Sequence, residues 1–83
     1  MYRIIIERKA AKEIECLPND TIQRVTDAIK NLKLNPRPHG SKKLTGEAGW
    51  RVRIGDYRIL YTIDDSQKLI TIYRVKHRKE AYR

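Results

Sequence analysis

The chain has 83 residues, enough for one small domain with a modest hydrophobic core and marginal stability. Lysine and arginine number 19 against 10 acidic residues, and the formal net charge is +9. Such an excess favours an anionic partner, either nucleic acid or an acidic protein. The excess is uneven, since the net charge is +2 through Asn35 and +7 from Pro36 onward.

Cysteine usage and hydropathy bear on the compartment. Cys16 is the only cysteine, which excludes an intrachain disulfide and indicates a reducing environment. The longest apolar run near the start, Ile4–Ile6, is far too short for a signal sequence or a membrane span. We therefore expect a soluble, cytoplasmic protein that has no membrane partner.

The first half of the chain predicts one strand and two helices. Residues 2–6 are mostly β-branched, which indicates a short strand, and residues 8–17 place apolar side chains at helical spacing. Pro18 ends the first helix. Asn19 or Asp20 can cap a second helix, which stops at the following Asn-Pro-Arg-Pro segment because proline cannot extend a helix.

The second half predicts a basic loop and three strands. Residues 39–49 hold three glycines and two lysines, and a loop of this length in so small a domain is typically functional. The alternative is a solvated linker. Strands at 50–54 and 57–63 flank a Gly-Asp turn, and a last strand covers 69–75 before a short tail.

This order of elements predicts the fold class. A β-α-α-β-β-β succession is typical of an α+β domain, here a single domain spanning residues 1–83. We expect a helical hairpin packed on one face of a mainly antiparallel sheet, with a short C-terminal tail. The other face of the sheet then stays uncovered and is available to a partner.

Arginines alternate with apolar residues in the predicted hairpin. Arg51 and Arg53 point away from the face that carries Trp50 and its aliphatic neighbours, because successive strand side chains face opposite sides. The turn can bring Arg58 opposite them. Like charges on neighbouring strands repel, so this cluster indicates an anionic group such as phosphate. The alternative is that each arginine simply belongs to a solvated sheet face.

Several motifs resemble the RelE toxins of the RelE/ParE superfamily, and they extend over nearly the whole chain. They are Lys43–Gly46, Trp50–Arg53, Gly55–Tyr61, Val75–Arg78 and Tyr82. The resemblance implies a bacterial or archaeal type II toxin that enters the ribosomal A site and cuts mRNA there. It also implies a RelB-like antitoxin encoded beside the toxin, with operator DNA bound only through the toxin–antitoxin complex.

The side chains fit cleavage of RNA by its own 2′-hydroxyl, which leaves a 2′,3′-cyclic phosphate end. This reaction needs a base for the hydroxyl, cations for the charge that develops on the phosphate, and an acid for the leaving 5′-oxygen. Arg58 is the expected transition-state stabiliser, because a guanidinium can bind phosphate through two hydrogen bonds. Arg51 and Arg53 lie around it, and the resemblance places Arg78 in the same site.

The proton-transfer groups follow from a departure from the family pattern. RelE toxins often carry lysines at the two strand positions, where neighbouring charge can deprotonate one of them to act as base. This sequence has Arg51 and Arg53 there, and arginine does not deprotonate in proteins. The candidates are therefore His77 and Tyr82. No metal or other cofactor is expected, since the histidines and turn aspartates show no ligand spacing.

Other cations are expected to contact RNA through charge without specific geometry. They are Arg37, Lys42, Lys43 and Lys76. Two other functions remain open at this point. One is a ParE-like inhibitor of DNA gyrase built on the same scaffold. The other is a noncatalytic basic module that binds RNA or an acidic partner, and the fold alone does not choose between these functions.

Overall fold

A five-stranded sheet forms one layer of the protein and two helices form the other. The computed structural model describes residues 1–77. The elements are β1 (Arg3–Ile6), α1 (Arg8–Glu15), α2 (Asn19–Leu34), β2 (Lys42–Lys43), β3 (Trp50–Ile54), β4 (Tyr57–Asp64) and β5 (Leu69–His77). Within residues 1–77, neither helix combines the length and the apolar composition that a membrane span requires.

The strands lie in the order β1-β5-β4-β3-β2. β1 pairs with β5 in parallel, and every other neighbouring pair is antiparallel. The parallel strands β1 and β5 need a crossover connection, and its first part is formed by the two helices that follow β1. The antiparallel strands follow one another in the chain through short connections. The predicted α+β class and mainly antiparallel sheet are confirmed.

The hydrophobic core lies between the helices and the central strands. Residues at alternate positions of β4 face the helices, so that Ile59 and Tyr61 are fully buried, as the period of two predicts. On α2 the apolar side chains recur every three or four residues and pack on this face. The most buried members are Ala10, Val25, Leu32, Ile59, Tyr61, Ile70, Ile72 and Val75.

Several element boundaries differ from the sequence prediction. α1 ends at Glu15, two residues early, and no side chain caps α2, whose N-cap position is Pro18. β5 continues to His77 because it stays paired with the start of β4. Part of the predicted loop is strand, since Lys42 pairs with Arg51 as β2.

A bulge separates the two halves of the β4–β5 ladder. Leu60 pairs with Arg74 and Tyr61 pairs with Ile72, so Tyr73 has no partner on β4. The extra residue resets the alternation, which is why Ile72 and Val75 both face the core although they are three residues apart.

Glu13 on α1 covers the edge of β5 beyond the end of β1. Its carboxylate accepts a hydrogen bond from the Val75 backbone N–H at 2.8 Å and three from the Arg74 side chain at 2.8–3.1 Å. Charge-assisted hydrogen bonds of this kind are stronger than neutral ones. One carboxylate therefore closes the strand edge and neutralises Arg74.

Tyr61 links the sheet to the loop after α2. Its hydroxyl donates to the Pro36 carbonyl at 2.8 Å. Burial raises the pKa of Tyr61, and the nearby Ser41 hydroxyl and Arg37 charge offset only part of that rise. Both the folded and unfolded chains keep the phenol neutral below its unfolded pKa of about 10.

We expect an alkaline loss of stability that depends on Tyr61. Because the pKa is higher in the folded state, the unfolded chain ionises first, and the free energy of unfolding falls as the pH rises from about 10 through the folded pKa. Urea unfolding of wild type and Tyr61→Phe at pH 8 and above 10 measures this. Phe should lose about 0.5–1.5 kcal/mol at pH 8 and show a shallower alkaline decline. Equal declines in both proteins would contradict the assignment.

Candidate nucleic-acid interface

The sheet face turned away from the core carries a row of cations on three adjacent strands. Arg53 on β3 pairs with Arg58 on β4, and Arg58 pairs with Lys76 on β5. Paired residues lie about 4.5–5.5 Å apart at their Cα atoms and share one face of the sheet. Three positive side chains therefore lie side by side, as the alternation of Arg53 and Arg58 predicts.

A second row lies next to the first on the same face, two residues along each strand. Lys42, Arg51, Leu60 and Arg74 pair in turn from β2 to β5. The cations of this row are Lys42, Arg51 and Arg74, and Arg74 is bound to Glu13. We call the surface formed by Arg51, Arg53, Arg58 and Lys76, with Lys42 at its outer edge, the cationic face.

Arg58 holds the central position of the cationic face. Its residue is only 8% exposed, whereas Arg53 is exposed and Lys76 is half-buried. Neither Arg53 nor Lys76 forms a salt bridge with a carboxylate of residues 1–77. Burial weakens screening by water, so like charges around Arg58 repel more strongly than at an open surface. An anion bound between them would relieve that repulsion.

His77 lies on the other side of the sheet. It pairs with Tyr57, which faces the helices, and the two rings meet edge to face with their centroids 5.2 Å apart. His77 also lines a groove with Lys9 and Lys12 of α1. The structure therefore does not bring this candidate base together with Arg51, Arg53 and Arg58.

Arg37 also lies away from the cationic face. Its guanidinium forms a salt bridge with Asp65 at 2.8 Å and stacks over the Trp50 ring at 5.2 Å. The Tyr2 hydroxyl donates to the same carboxylate at 2.6 Å. The Arg37 hydrogen bond, and then that of Tyr2, lowers the pKa of Asp65. Arg37 thus ties the loop after α2 to the β4–β5 turn.

The remaining predicted site residues divide between the faces. Lys42 is on the cationic face, whereas Lys43 pairs with Trp50 and shares the opposite face. Arg78 and Tyr82 lie outside the described residues. Within residues 1–77, no group of three or more histidine, cysteine or acidic side chains is arranged to hold a metal ion.

Two uncharged side chains also belong to this surface, and the bulge beside them was not predicted from the sequence. Leu60 lies between Arg51 and Arg74, and Tyr73 leaves the strand at the bulge. Strict alternation from Leu69 gives Tyr73 the same face as Leu69 and Thr71, but it says nothing about a bulge. The sequence does carry one signal of the bulge. Ile72 and Val75 are both apolar but three residues apart, so a regular strand would place them on opposite faces.

Comparisons with known proteins agree with this architecture. The family model described as ParE toxin of the type II toxin–antitoxin system parDE matches residues 4–82. Toxin RelG of Mycobacterium tuberculosis is 32% identical, with 99% of this chain and 97% of that protein covered.

Solved structures give the same result. RelE in the archaeal RelE–RelB complex from Pyrococcus horikoshii superposes with a TM-score of 0.83 and 30% identity, covering 93% of this chain and 94% of the other. The RelBE2 complex of Mycobacterium tuberculosis gives 0.82 and 30%, covering 93% and 98%. The chain therefore belongs to the ParE toxin family, and it is a RelE-type toxin of the RelE/ParE superfamily in type II toxin–antitoxin systems.

Proposed function

We propose that this toxin is an endoribonuclease that cuts mRNA in the ribosomal A site without a metal ion. The observation that carries the proposal is the row of Arg53, Arg58 and Lys76 on the sheet face turned away from the helices. Cations at this spacing fit the oxygens of one phosphate group. Its similarity to RelE-type toxins supports RNA as the source of that phosphate.

The proposed reaction is an attack of the 2′-oxygen on the neighbouring phosphorus. A bond forms between the 2′-oxygen and phosphorus, and the bond to the 5′-oxygen breaks, which leaves a 2′,3′-cyclic phosphate and a 5′-hydroxyl. Arg58 stabilises the negative charge that builds up on the phosphate, and Arg51 and Arg53 assist it. These groups act by charge and position, because none of them can take up a proton.

Proton transfer falls to other side chains. Tyr82 is the proposed base, since its phenolate can take the 2′-hydroxyl proton, and water then supplies the proton for the departing 5′-oxygen. Arg78 is a further phosphate contact, as the resemblance to RelE toxins implies. Lys42 is proposed to hold the flanking RNA backbone, and Lys76 is proposed to bind RNA beside Arg58. Arg37 and Lys43, which lie off the cationic face, are proposed to contact RNA or ribosome only at its periphery.

We expect His77→Ala to cleave mRNA at nearly the wild-type rate. His77 lies on the helix side of the sheet, and removal of a true general base lowers a rate by about 100-fold or more. Initial rates on ribosomes that hold a defined codon in the A site measure the effect, with Arg53→Ala as the comparison on the cationic face. A loss of 100-fold in His77→Ala, with unchanged thermal unfolding, would restore His77 as the base.

The proposed partner is a RelB-like antitoxin encoded by a neighbouring gene. Similar toxins are found in complexes named RelE–RelB and RelBE2. The net charge of +9 favours an acidic antitoxin, which would bind operator DNA on behalf of the complex.

The test of this function is cleavage on programmed ribosomes, with message ends mapped by primer extension. The proposal predicts new ends inside the A-site codon for the wild-type protein and none without ribosomes. The family model is described by the name ParE, so the matched assay is supercoiling by DNA gyrase. Inhibition of gyrase without mRNA cleavage would replace the nuclease with a gyrase inhibitor.

A further inference from the structure

Tyr73 lies across the sheet from β5 towards the start of β3. Its hydroxyl donates to the Ala48 carbonyl at 3.5 Å, although β4 separates β5 from β3. Ile72 before it points into the core, so the Tyr73 side chain crosses β4 on the opposite face, the cationic one. Leu60 and Arg74 are the paired residues next to the bulge on this face.

The Tyr73 ring closely approaches the backbone at Gly49. A Cβ atom at Gly49 would lie 3.3 Å from the Tyr73 hydroxyl oxygen and 2.7 Å from the Tyr61 carbonyl oxygen. The φ of Gly49 is +117°, a region that other residues rarely adopt. The loop closes through a hydrogen bond from the Leu44 N–H to the Gly49 carbonyl at 3.0 Å. The orientation of Tyr73 is therefore set by backbone and not by flexible side chains.

The ring is held in place but keeps part of its surface exposed to solvent. Tyr73 is half-buried and is not part of the hydrophobic core. Burial, and then the charge of Glu47, raises the pKa of Tyr73, so the phenol is neutral at physiological pH. A neutral, oriented aromatic ring next to a row of cations is the combination with which proteins hold single-stranded RNA.

We propose that Tyr73 is a stacking platform for the base of a nucleotide beside the phosphate held by the cationic face. This inference rests on the proposed function, because it assumes that the anion there belongs to RNA. Tyr73 is three residues from Lys76, about 10 Å along the strand, so the platform and the phosphate row are separate contacts on one surface. The cations hold the backbone, and the ring holds a base whatever its identity.

The test measures RNA binding without cleavage. The probe is a short single-stranded RNA with a 2′-deoxynucleotide at the scissile position, so that it cannot be cut, and with 2-aminopurine at the neighbouring nucleotide. Anisotropy of an end label gives Kd, and quenching of 2-aminopurine reports stacking. The variants are Tyr73→Phe, which keeps the ring, and Tyr73→Leu, which keeps apolar bulk without it. Tyr57→Leu, on the helix side, is the matched control.

The proposal predicts that Tyr73→Phe and Tyr57→Leu bind as wild type does. Tyr73→Leu should bind about 5- to 100-fold more weakly and lose the quenching, because a base–aromatic stack contributes about that much. An abasic nucleotide in place of 2-aminopurine should remove the difference between wild type and Tyr73→Leu. If Tyr73→Leu is unfolded by thermal melting, Tyr73→Met makes the same comparison.

Two results would overturn the platform. One is a Tyr73→Leu protein that binds and quenches as wild type does. The other is a defect that persists on abasic RNA or that Tyr73→Phe shares, since either would mean that Tyr73 only anchors the 44–49 loop. The ribosome assay is separate. If the wild type cleaves mRNA but Tyr73→Leu binds RNA normally, only the stacking platform is disproved. If RNA binding depends on Tyr73 and the base but no cleavage occurs, only the proposed nuclease activity is disproved.

Discussion

Replacement of Arg58 by alanine is expected to lower mRNA cleavage on programmed ribosomes by about 100- to 1,000-fold. That is the usual effect of removing one preorganised group that stabilises transition-state charge. Arg58 is the central and most buried cation of its row, so water that enters the space left in Arg58→Ala cannot supply the lost positive charge. The measurement is the initial cleavage rate, followed by primer extension.

Two further variants make the Arg58 result specific. Arg58→Lys keeps the charge but loses the two-pronged guanidinium, so its rate should fall between wild type and Arg58→Ala. Arg8→Ala removes the same charge from the exposed start of α1 and should leave the rate unchanged. Thermal unfolding of all three shows whether the fold survives. Full cleavage by a folded Arg58→Ala protein would disprove its proposed role.

The double change Arg51→Gln and Arg53→Gln is expected to reduce both RNA binding and cleavage. Two cations lost from a single-stranded RNA contact should lower the slope of log K against log salt by about 1.4. The rate at saturating protein should fall by about 100-fold, because both side chains flank the phosphate that Arg58 holds. Salt titrations and single-turnover rates measure the two effects separately.

A charge-matched pair is available on α2 for this experiment. Lys30→Gln with Lys33→Gln also removes two charges, but both lysines are exposed on the helix layer. Its salt slope and cleavage rate should stay close to wild type. If the arginine pair loses RNA binding while its saturated rate is unchanged, Arg51 and Arg53 only anchor RNA and do not assist the reaction.

The alternation of side chains made much of the site predictable from the sequence. Arg51 and Arg53 lie opposite Trp50 and its neighbours because the strand period is two, and a two-residue turn places Arg58 next to Arg53. The fold class followed from the same patterns. These features depend on residues that are close in the chain, where the sequence carries direct information.

Contacts between distant residues were not predictable in this way. Arg37 was expected to be free for RNA, but Asp65, 28 residues away, binds it. His77 was assigned by its titration range, whereas its face depends on where β5 pairs and on the bulge before it. Sequence spacing fixes neither.

The chemistry of the RNA ends tests most directly whether the cationic face acts on one scissile phosphate. Ends from wild-type and Arg58→Ala reactions on programmed ribosomes can be separated by their sensitivity to a phosphatase before and after acid opening of cyclic phosphates. We predict 2′,3′-cyclic phosphate and 5′-hydroxyl ends for the wild type, and the same ends at a rate at least about 100-fold lower for Arg58→Ala. Ends that carry a 3′-hydroxyl, or equal yields from the two proteins, would contradict the account.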